Sequence, residues 1–372
     1  MKYLLDATIM QKIFTEDPDY EQWQMLSNFI YPSNIERFFE KRGIENYDEE
    51  LLELISGSIL QAQEYFHANT LVSLNTSPLL LYYGVVNLLF AASILASAKN
   101  VHIENHGIKL ETTNIKRLAE TEFTPCFSTE HGGLFQFCTI FCPNINVSRY
   151  ASQGKWTLLE ILGSIPELKQ DFEACYGTQS YVIPVQIVKN KSDYVERIDL
   201  NEFNTSDVME ELLKVDNFEE SYIKPNIASE FFKNQHVFIR RKIGSEQINE
   251  TSVFGQVFLQ KFHNKQNHRI TLPSIIYMYM GLFALGYLSR YKPAIWSPFV
   301  RSDSTGEKQV IEKFIRICKR VLPNMVLNFI YETKFYFVKE MYEPLDLSKE
   351  VTEEQIRKIV AKEMKRYRQE GT

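Results

Sequence analysis

The stretch SPLLLYYGVVNLLFAASILASAKN, residues 77–100, has no charged side chain before Lys99. As a helix rising about 1.5 Å per residue, it is long enough to cross a bilayer core of about 30 Å. Two features argue against a membrane span: Tyr83 and Asn87 lie four positions apart on one stripe, and no basic cluster precedes the run. A helix that is apolar on all sides also suits the centre of a large helical bundle. We therefore predict a core helix and no membrane contact.

A second apolar run, LPSIIYMYMGLFALGYLSRYKP at residues 272–293, has the same mixed character. Near the first run, apolar residues recur at spacings of three and four, as in Leu51, Leu54 and Ile55, which is typical of amphipathic helices. The middle of the chain instead contains short segments rich in Val, Ile, Phe and Tyr, which favour strands. These segments are LFQFCTIF (134–141), SYVIPVQIV (180–188), HVFIRRKI (236–243) and SVFGQVFLQKF (252–262). The patterns predict an α+β fold, with a mainly helical body and a small antiparallel sheet in the middle of the chain.

The same patterns divide the chain into four regions. The predicted limits are 1–125 for an N-terminal helical region, 126–265 for a mixed insertion of strands and helices, 266–345 for a C-terminal helical region that packs on the first, and 346–372 for a charged terminal helix. The last region carries many opposite charges at helical spacing, which favours a solvated helix.

Composition and the motifs that are missing argue against several functional classes. The 372 residues include 41 basic and 47 acidic side chains, and the formal charge of -6 provides no general attraction to a phosphate backbone. Five cysteines without a repeated spacing, and a start that does not look like a secretory leader, predict reduced thiols and a cytoplasmic location. A phosphate loop, a dinucleotide fingerprint, a nucleophile elbow and a zinc-protease motif are all missing from the sequence. We expect no metal and no cofactor.

Polar residues on and after the two apolar runs are the candidates for a site. His106, packed against the stripe of Tyr83 and Asn87, is either a satisfied core residue or an acid/base. Pro293 should end the second helix near Tyr291, which places Arg290 in the last turn. There Arg290 either complements the helix carbonyls or serves as an anion-binding fork. The predicted ligand-binding set is Tyr83, Asn87, His106, Arg290, Tyr291 and Trp296, of which His106 and Arg290 are the candidates for catalysis.

Two further patterns lie outside this set. Ser304 is expected to cap the next helix, with Glu307 three positions on completing a capping box. Two short basic clusters are either contacts for nucleic acid or solvated hairpin edges that block strand pairing. The residues proposed for nucleic-acid contact are Arg240, Arg241, Lys242, Lys261, Lys265 and Arg269.

Several landmarks occur in order along the chain: the SPLLLYYG segment at 77–84, the pair His106-Gly107, and Arg290-Tyr291 followed by Pro293 and Trp296. Together they resemble the YaaC-like family of bacterial proteins. The resemblance spans roughly residues 51–331 and implies a bacterial, cytosolic protein. It implies no particular activity.

The first helices resemble, more weakly, the paired helices of HEPN domains, many of which are ribonucleases in toxin and antiviral systems. Those enzymes usually carry an Arg four to six residues before a His, and no histidine here has an Arg at that distance. A nuclease of this kind would have to assemble Arg290 and His106 from distant segments.

Two functional hypotheses of different class remain. The first is a binding or sensor protein that takes up a small anionic ligand, a protein partner or a second copy of itself, with a role in stress or phage defence. The alternative is a HEPN-like ribonuclease or toxin that acts on RNA.

Overall fold

The computed structural model describes residues 10–111, 115–128, 130–143, 147, 154–189, 194–199, 210, 212–215, 218–223, 236–242, 250–261 and 271–339. The helices in these ranges are α1 (Pro18–Ser27), α2 (Pro32–Lys41), α3 (Glu49–Asn69), α4 (Ser77–Ser97), α5 (Gly133–Phe141), α6 (Leu158–Gly163), α7 (Lys169–Tyr176), α8 (Phe218–Ser221), α9 (Ser274–Tyr291), α10 (Pro293–Ser302) and α11 (Glu307–Tyr331). The strands are β1 (Met10–Phe14), β2 (Ile108–Glu111), β3 (Glu122–Pro125), β4 (Trp156–Thr157), β5 (Val182–Lys189), β6 (Tyr194–Asp199), β7 (Tyr222–Ile223), β8 (His236–Arg241), β9 (Glu250–Thr251), β10 (Val257–Gln260) and β11 (Lys334–Val338).

Helix α4 lies at the centre of the helical body. It packs against α3, α9 and α11, so its apolar residues are buried on several sides. Pro78 occupies the first turn, where a missing N–H costs nothing. The helix ends at Ser97, and Ala98 takes the left-handed conformation that closes it. By length and composition α4 is the one helix in the described ranges that could cross a membrane, and 67% of its apolar window is buried inside the protein.

The predicted antiparallel sheet is confirmed. Six strands pair in the order β7-β8-β6-β5-β10-β9, and all of their pairings are antiparallel. One face of this sheet has a small apolar core of its own, which includes Ile183, Ile239 and Leu259. The much larger core surrounds α4, α9 and α11. The fold is therefore α+β with a mainly helical body, as predicted.

Two elements differ from the sequence prediction. Residues 134–141 were expected to form a strand but belong to α5, because Leu134, Phe137, Cys138 and Phe141 recur at helical spacing and are buried where α5 packs on α4 and α9. Strand β1 was not expected at all, and it pairs in parallel with β11 near the other end of the described chain. A pairing between such distant segments leaves no local signal in the sequence.

The predicted capping box at Ser304 is wrong. Gly306 immediately precedes α11, and the side chain of Glu307 does not fold back on its own helix. Its carboxylate instead accepts hydrogen bonds from the backbone N–H groups of Leu118 and Ala119, at 2.8 and 2.9 Å. Asp303 makes the local contacts in the loop, accepting from Thr305 and from the N–H of Lys308.

A third sheet, β2-β3-β4, joins residues on both sides of the predicted domain limit at residue 125. The predicted limits near 265 and 345 fall at or next to parts of the chain outside the described residues, as does the whole charged helix predicted at 346–372.

Candidate functional site

The last turn of α9 and the first half of α4 meet at the surface of the helical body. As predicted, α9 ends at Tyr291, just before Pro293 begins α10, so Arg290 lies in the last turn. Arg290 Nη1 donates a hydrogen bond of 2.9 Å to the Tyr83 hydroxyl on α4. The two apolar runs of the sequence therefore do bring their polar residues together.

His106 joins this group from the segment between α4 and β2. Its Nδ1 lies 2.6 Å from the Tyr82 hydroxyl, and its ring contacts the rings of Tyr82 and Phe283. The His106 carbonyl accepts from the Tyr279 hydroxyl at 2.8 Å and from the N–H of Leu134 at 3.2 Å. Side chain and backbone are thus both anchored, which fixes the position of the imidazole.

The backbone at Gly107 makes that anchoring possible. Gly107 has φ +72, and a Cβ there would lie 2.9 Å from Leu134 in α5. Any other residue would be strained by the left-handed backbone conformation and by the steric clash with Leu134. Glycine therefore allows the chain to pass this close to α5 directly after His106.

The site contains neutral groups beside one cation. Burial of the packed edge of the imidazole, and then the charge of Arg290, lower the pKa of His106 below its ordinary value. Burial, followed by the neighbouring Tyr279, raises the pKa of Tyr82 well above its ordinary value. At neutral pH, His106 is therefore uncharged and Tyr82 carries its proton. Either tautomer of the imidazole makes the Nδ1 bond, and Nε2 has no partner among the residues that the structure describes.

Arg290 is exposed and has spare hydrogen-bonding capacity. Its guanidinium carbon lies 4.9 Å from the ring centre of Tyr291, whose side chain is 55% exposed. Within the described ranges it contacts no carboxylate, and the bond to Tyr83 uses only one of its five N–H donors. We call the group of Tyr82, Tyr83, His106, Arg290 and Tyr291 the His106–Arg290 site.

Two of the predicted residues do not join this site. The Asn87 amide donates to the Tyr83 carbonyl one turn earlier in α4, at 2.9 Å. Trp296 is 2% exposed and packs against Phe299 in the core, so it does not offer a flat wall to a ligand.

The sequence analysis missed Tyr82 and Tyr279. Their hydroxyls lie 3.5 Å apart, and each contacts His106, through the side chain and the carbonyl respectively. Both tyrosines lie inside the apolar runs, and that was the only signal available. Neighbouring residues such as Tyr82 and Tyr83 point about 100° apart on a helix, so only the packing shows which one meets His106.

The predicted basic surface is only partly described. Arg240 lies on β8, which pairs with β6 on one side and with β7 on the other, so the interpretation as an unpaired hairpin edge is wrong there. The Nζ of Lys242 donates to the Glu219 carbonyl, and Lys261 is 5% exposed. Lys265 and Arg269 lie outside the described residues. Contact with nucleic acid stays a prediction.

No group of three or more His, Cys, Asp or Glu side chains is placed to hold a metal ion in the part of the chain that the structure describes.

A family model described as YaaC-like Protein matches residues 3–330. A search of curated proteins and a search of solved structures give no match.

Proposed function

The chain belongs to the YaaC-like family, and we propose that it is a cytosolic binding or sensor protein that takes up a small phosphate-bearing anion at the His106–Arg290 site. The observation that carries this proposal is the exposed Arg290, which has no carboxylate partner among the described residues and lies beside an exposed tyrosine ring.

The chemistry of the group favours a planar or phosphorylated anion. A guanidinium fork can donate two parallel hydrogen bonds to phosphate or carboxylate oxygens. The neutral His106 lies beside it, and its Nε2 has no partner among the residues that the structure describes, so it can hydrogen-bond a ligand oxygen or hydroxyl. The exposed Tyr291 ring provides a surface on which a flat ligand group can stack.

The surroundings hold these side chains in position before a ligand arrives. Tyr83 is stacked on Tyr65 with ring centres 5.9 Å apart, and it receives the hydrogen bond from Arg290. His106 is fixed by Tyr82 and by its own carbonyl contacts. Little conformational freedom is left to lose on binding, which favours affinity.

The test is calorimetric titration with inorganic phosphate and with nucleoside monophosphates. Arg290→Met should weaken binding of the best of these anions at least tenfold, because a charged hydrogen bond is lost. Arg290→Lys should bind with intermediate affinity, since it keeps the charge but not the fork. The matched control is Arg301→Met, at another exposed arginine near a helix end, and it should bind as the parent protein does. The proposal would be refuted if none of these anions bound, or if Arg290→Met bound them with the same affinity as the parent protein.

Ribonuclease activity is the second candidate, and one observation favours it. The chain brings His106 and Arg290 close enough for the arginine to lower the histidine pKa, although they are far apart in sequence. On an RNA phosphodiester, Arg290 would bind the non-bridging oxygens, and neutral His106 would accept the proton of the 2′-hydroxyl as that oxygen forms a bond to phosphorus. The P–O5′ bond would break, and the 5′-oxygen would leave with a proton taken from water. Sequencing RNA ends in cells that express the parent protein or His106→Gln tests this. Cleavage that depends on His106 supports a role in growth arrest or phage defence, and intact RNA excludes it.

A further inference from the structure

A groove lies between α1 and the second half of α3, and none of its lining residues belongs to the His106–Arg290 site. Its volume is about 520 Å³, which is large enough to hold several side chains of another segment. Three aromatic residues line it. The rings of Trp23 and Phe66 pack edge to face with their centres 4.9 Å apart, and the side chain of Tyr20 is 60% exposed. The groove therefore offers aromatic surface that the rest of the described chain leaves uncovered.

Three carboxylates line the same groove. They belong to Asp17, Asp19 and Glu64, and the one lysine among the lining residues is Lys319. Asp17 caps the start of α1, and Asp19 pairs with Arg320 at 3.3 Å. Glu64 is exposed and forms no ion pair with any residue that the structure describes. The groove thus combines aromatic surface with negative charge.

The stretches of chain that form this face contain no cations to balance that charge. Residues 13–35 carry four acidic side chains and no Lys or Arg, and residues 43–98 carry six acidic side chains and no Lys or Arg. Lysine and arginine side chains are attracted both to carboxylates and to the faces of aromatic rings. An acidic face with an aromatic groove therefore favours a basic segment that has apolar residues of its own.

The chain contains such a segment outside the described residues. Residues 356–368, IRKIVAKEMKRYR, carry six basic side chains and one acidic side chain. In the helix that the sequence predicts for 346–372, Ile356, Val360 and Met364 recur every four positions and share one face. A basic segment with an apolar face matches both features of the groove.

The described part of the chain ends beside the groove. Strand β11 ends at Val338, whose carbonyl accepts a hydrogen bond of 3.0 Å from the N–H of Thr15. Asp17, which lines the groove, follows two residues after Thr15. The 16 residues 340–355 can span up to about 50 Å at about 3.3 Å per residue. The segment at 356–368 can therefore reach the groove, and the covalent connection raises its local concentration to about the millimolar range.

We propose that residues 356–368 dock into the groove between α1 and α3 of the same chain, with their basic side chains against its carboxylates and their apolar face against Trp23. The groove is then an interaction surface whose occupant is a segment of the chain itself.

The first test is zero-length cross-linking of the full chain with a carbodiimide, which joins a carboxylate to a lysine in direct contact. We expect mass spectrometry of the peptides to show Glu64 or Asp19 joined to Lys362 or Lys365. An equal mixture of isotopically heavy and light protein separates links within one chain from links between two chains. Absence of links between the segment and the groove overturns the proposal. Links with mixed labels show that the segment of a second copy occupies the groove, and they overturn it as well.

Trp23 provides the second readout. The chain has three tryptophans, and Trp156 and Trp296 are only 3% and 2% exposed, so quenching of the fluorescence by acrylamide reports mainly on Trp23. A docked segment should protect this ring at low ionic strength. The protection should be lost in about 1 M salt, where the screening length falls to about 3 Å. Equal quenching at low and high salt overturns the proposal.

Charge reversal identifies the contacting groups. Lys362→Glu/Lys365→Glu in the segment, and separately Glu64→Lys in the groove, should each raise the quenching of Trp23 at low salt to the level of the parent protein in high salt. The combined variant should regain protection, because opposite charges face each other again. The matched control is Glu53→Lys, at an exposed position of α3 outside the groove, and it should behave as the parent does.

Thermal melting identifies any variant that fails to fold, and the cross-links of the parent protein decide the question in that case. Unchanged quenching in folded Lys362→Glu/Lys365→Glu overturns the proposal, as does an equal effect of Glu53→Lys and Glu64→Lys.

Discussion

Substitution of the buried Glu307 should lower the stability of the protein more than most other single changes. Its side chain is 2% exposed, and its carboxylate accepts from the N–H groups of Leu118 and Ala119 and from the Tyr176 hydroxyl at 3.0 Å. It therefore links the start of α11 to the turn at Leu118–Glu120 and to the end of α7.

Glu307→Gln replaces one acceptor oxygen with an amide nitrogen that faces a backbone N–H. One hydrogen bond to a charged acceptor is lost and one buried donor is left unpaired, and each effect is worth about 1–3 kcal/mol. Since the two overlap, we expect a loss of about 2–4 kcal/mol in the free energy of unfolding. Tyr176→Phe removes only the hydroxyl contact and should cost about 1 kcal/mol.

Urea unfolding at pH 7 measures both effects, provided that the slope with denaturant is unchanged. The control is Glu312→Gln, at an exposed position in the same helix, which should change stability by about 0.5 kcal/mol or less. The double variant Glu307→Gln/Tyr176→Phe should cost less than the sum of the single changes, because they share a contact. A Glu307→Gln variant as stable as Glu312→Gln would refute this account of the buried carboxylate.

Two further predictions concern His106 and the turn after it. The pKa of His106 is lowered in the folded protein, so its neutral form stabilises the fold fully above about pH 6.5, and this stabilisation is lost as the pH falls below that value. Arg290→Met should raise the histidine pKa toward 6.5 in an NMR titration. An unchanged pKa would show that the arginine charge does not reach the ring. Gly107→Ala should lower the free energy of unfolding in urea by about 2–3 kcal/mol, because of the positive φ at this position and the contact with Leu134. The control is Gly57→Ala in α3, where a Cβ meets nothing within 4 Å, and it should be neutral or stabilising. Equal effects of the two changes would contradict the reasoning.

The composition of the two apolar runs determined that the chain has a helical core. A segment such as 77–97 with no charge has to be buried, and Pro78 and Pro293 mark the helix boundaries through backbone chemistry alone. The position of Arg290 in the last turn of α9 could be predicted for the same local reason. Three strands of the six-stranded sheet, β5, β8 and β10, could also be predicted, because β-branched and aromatic residues form short runs there.

Residues 134–141 show where local pattern was ambiguous. Phe, Ile, Leu and Cys suit a buried strand and a buried helix equally well, and α5 forms because α4 and α9 present surfaces that accept a helical stripe. The pairing of β1 with β11 depends in the same way on contacts between distant segments.

The sequence by itself therefore determined the helical core, part of the sheet and the chemical types available at a site. Only the tertiary structure decided that Tyr82 rather than Tyr83 meets His106, that Trp296 is buried, and that Glu307 binds another segment instead of its own helix. The physical reason is that burial and helix ends follow from local composition, whereas the direction of a side chain around a helix acquires meaning only when a partner from elsewhere in the chain packs against it.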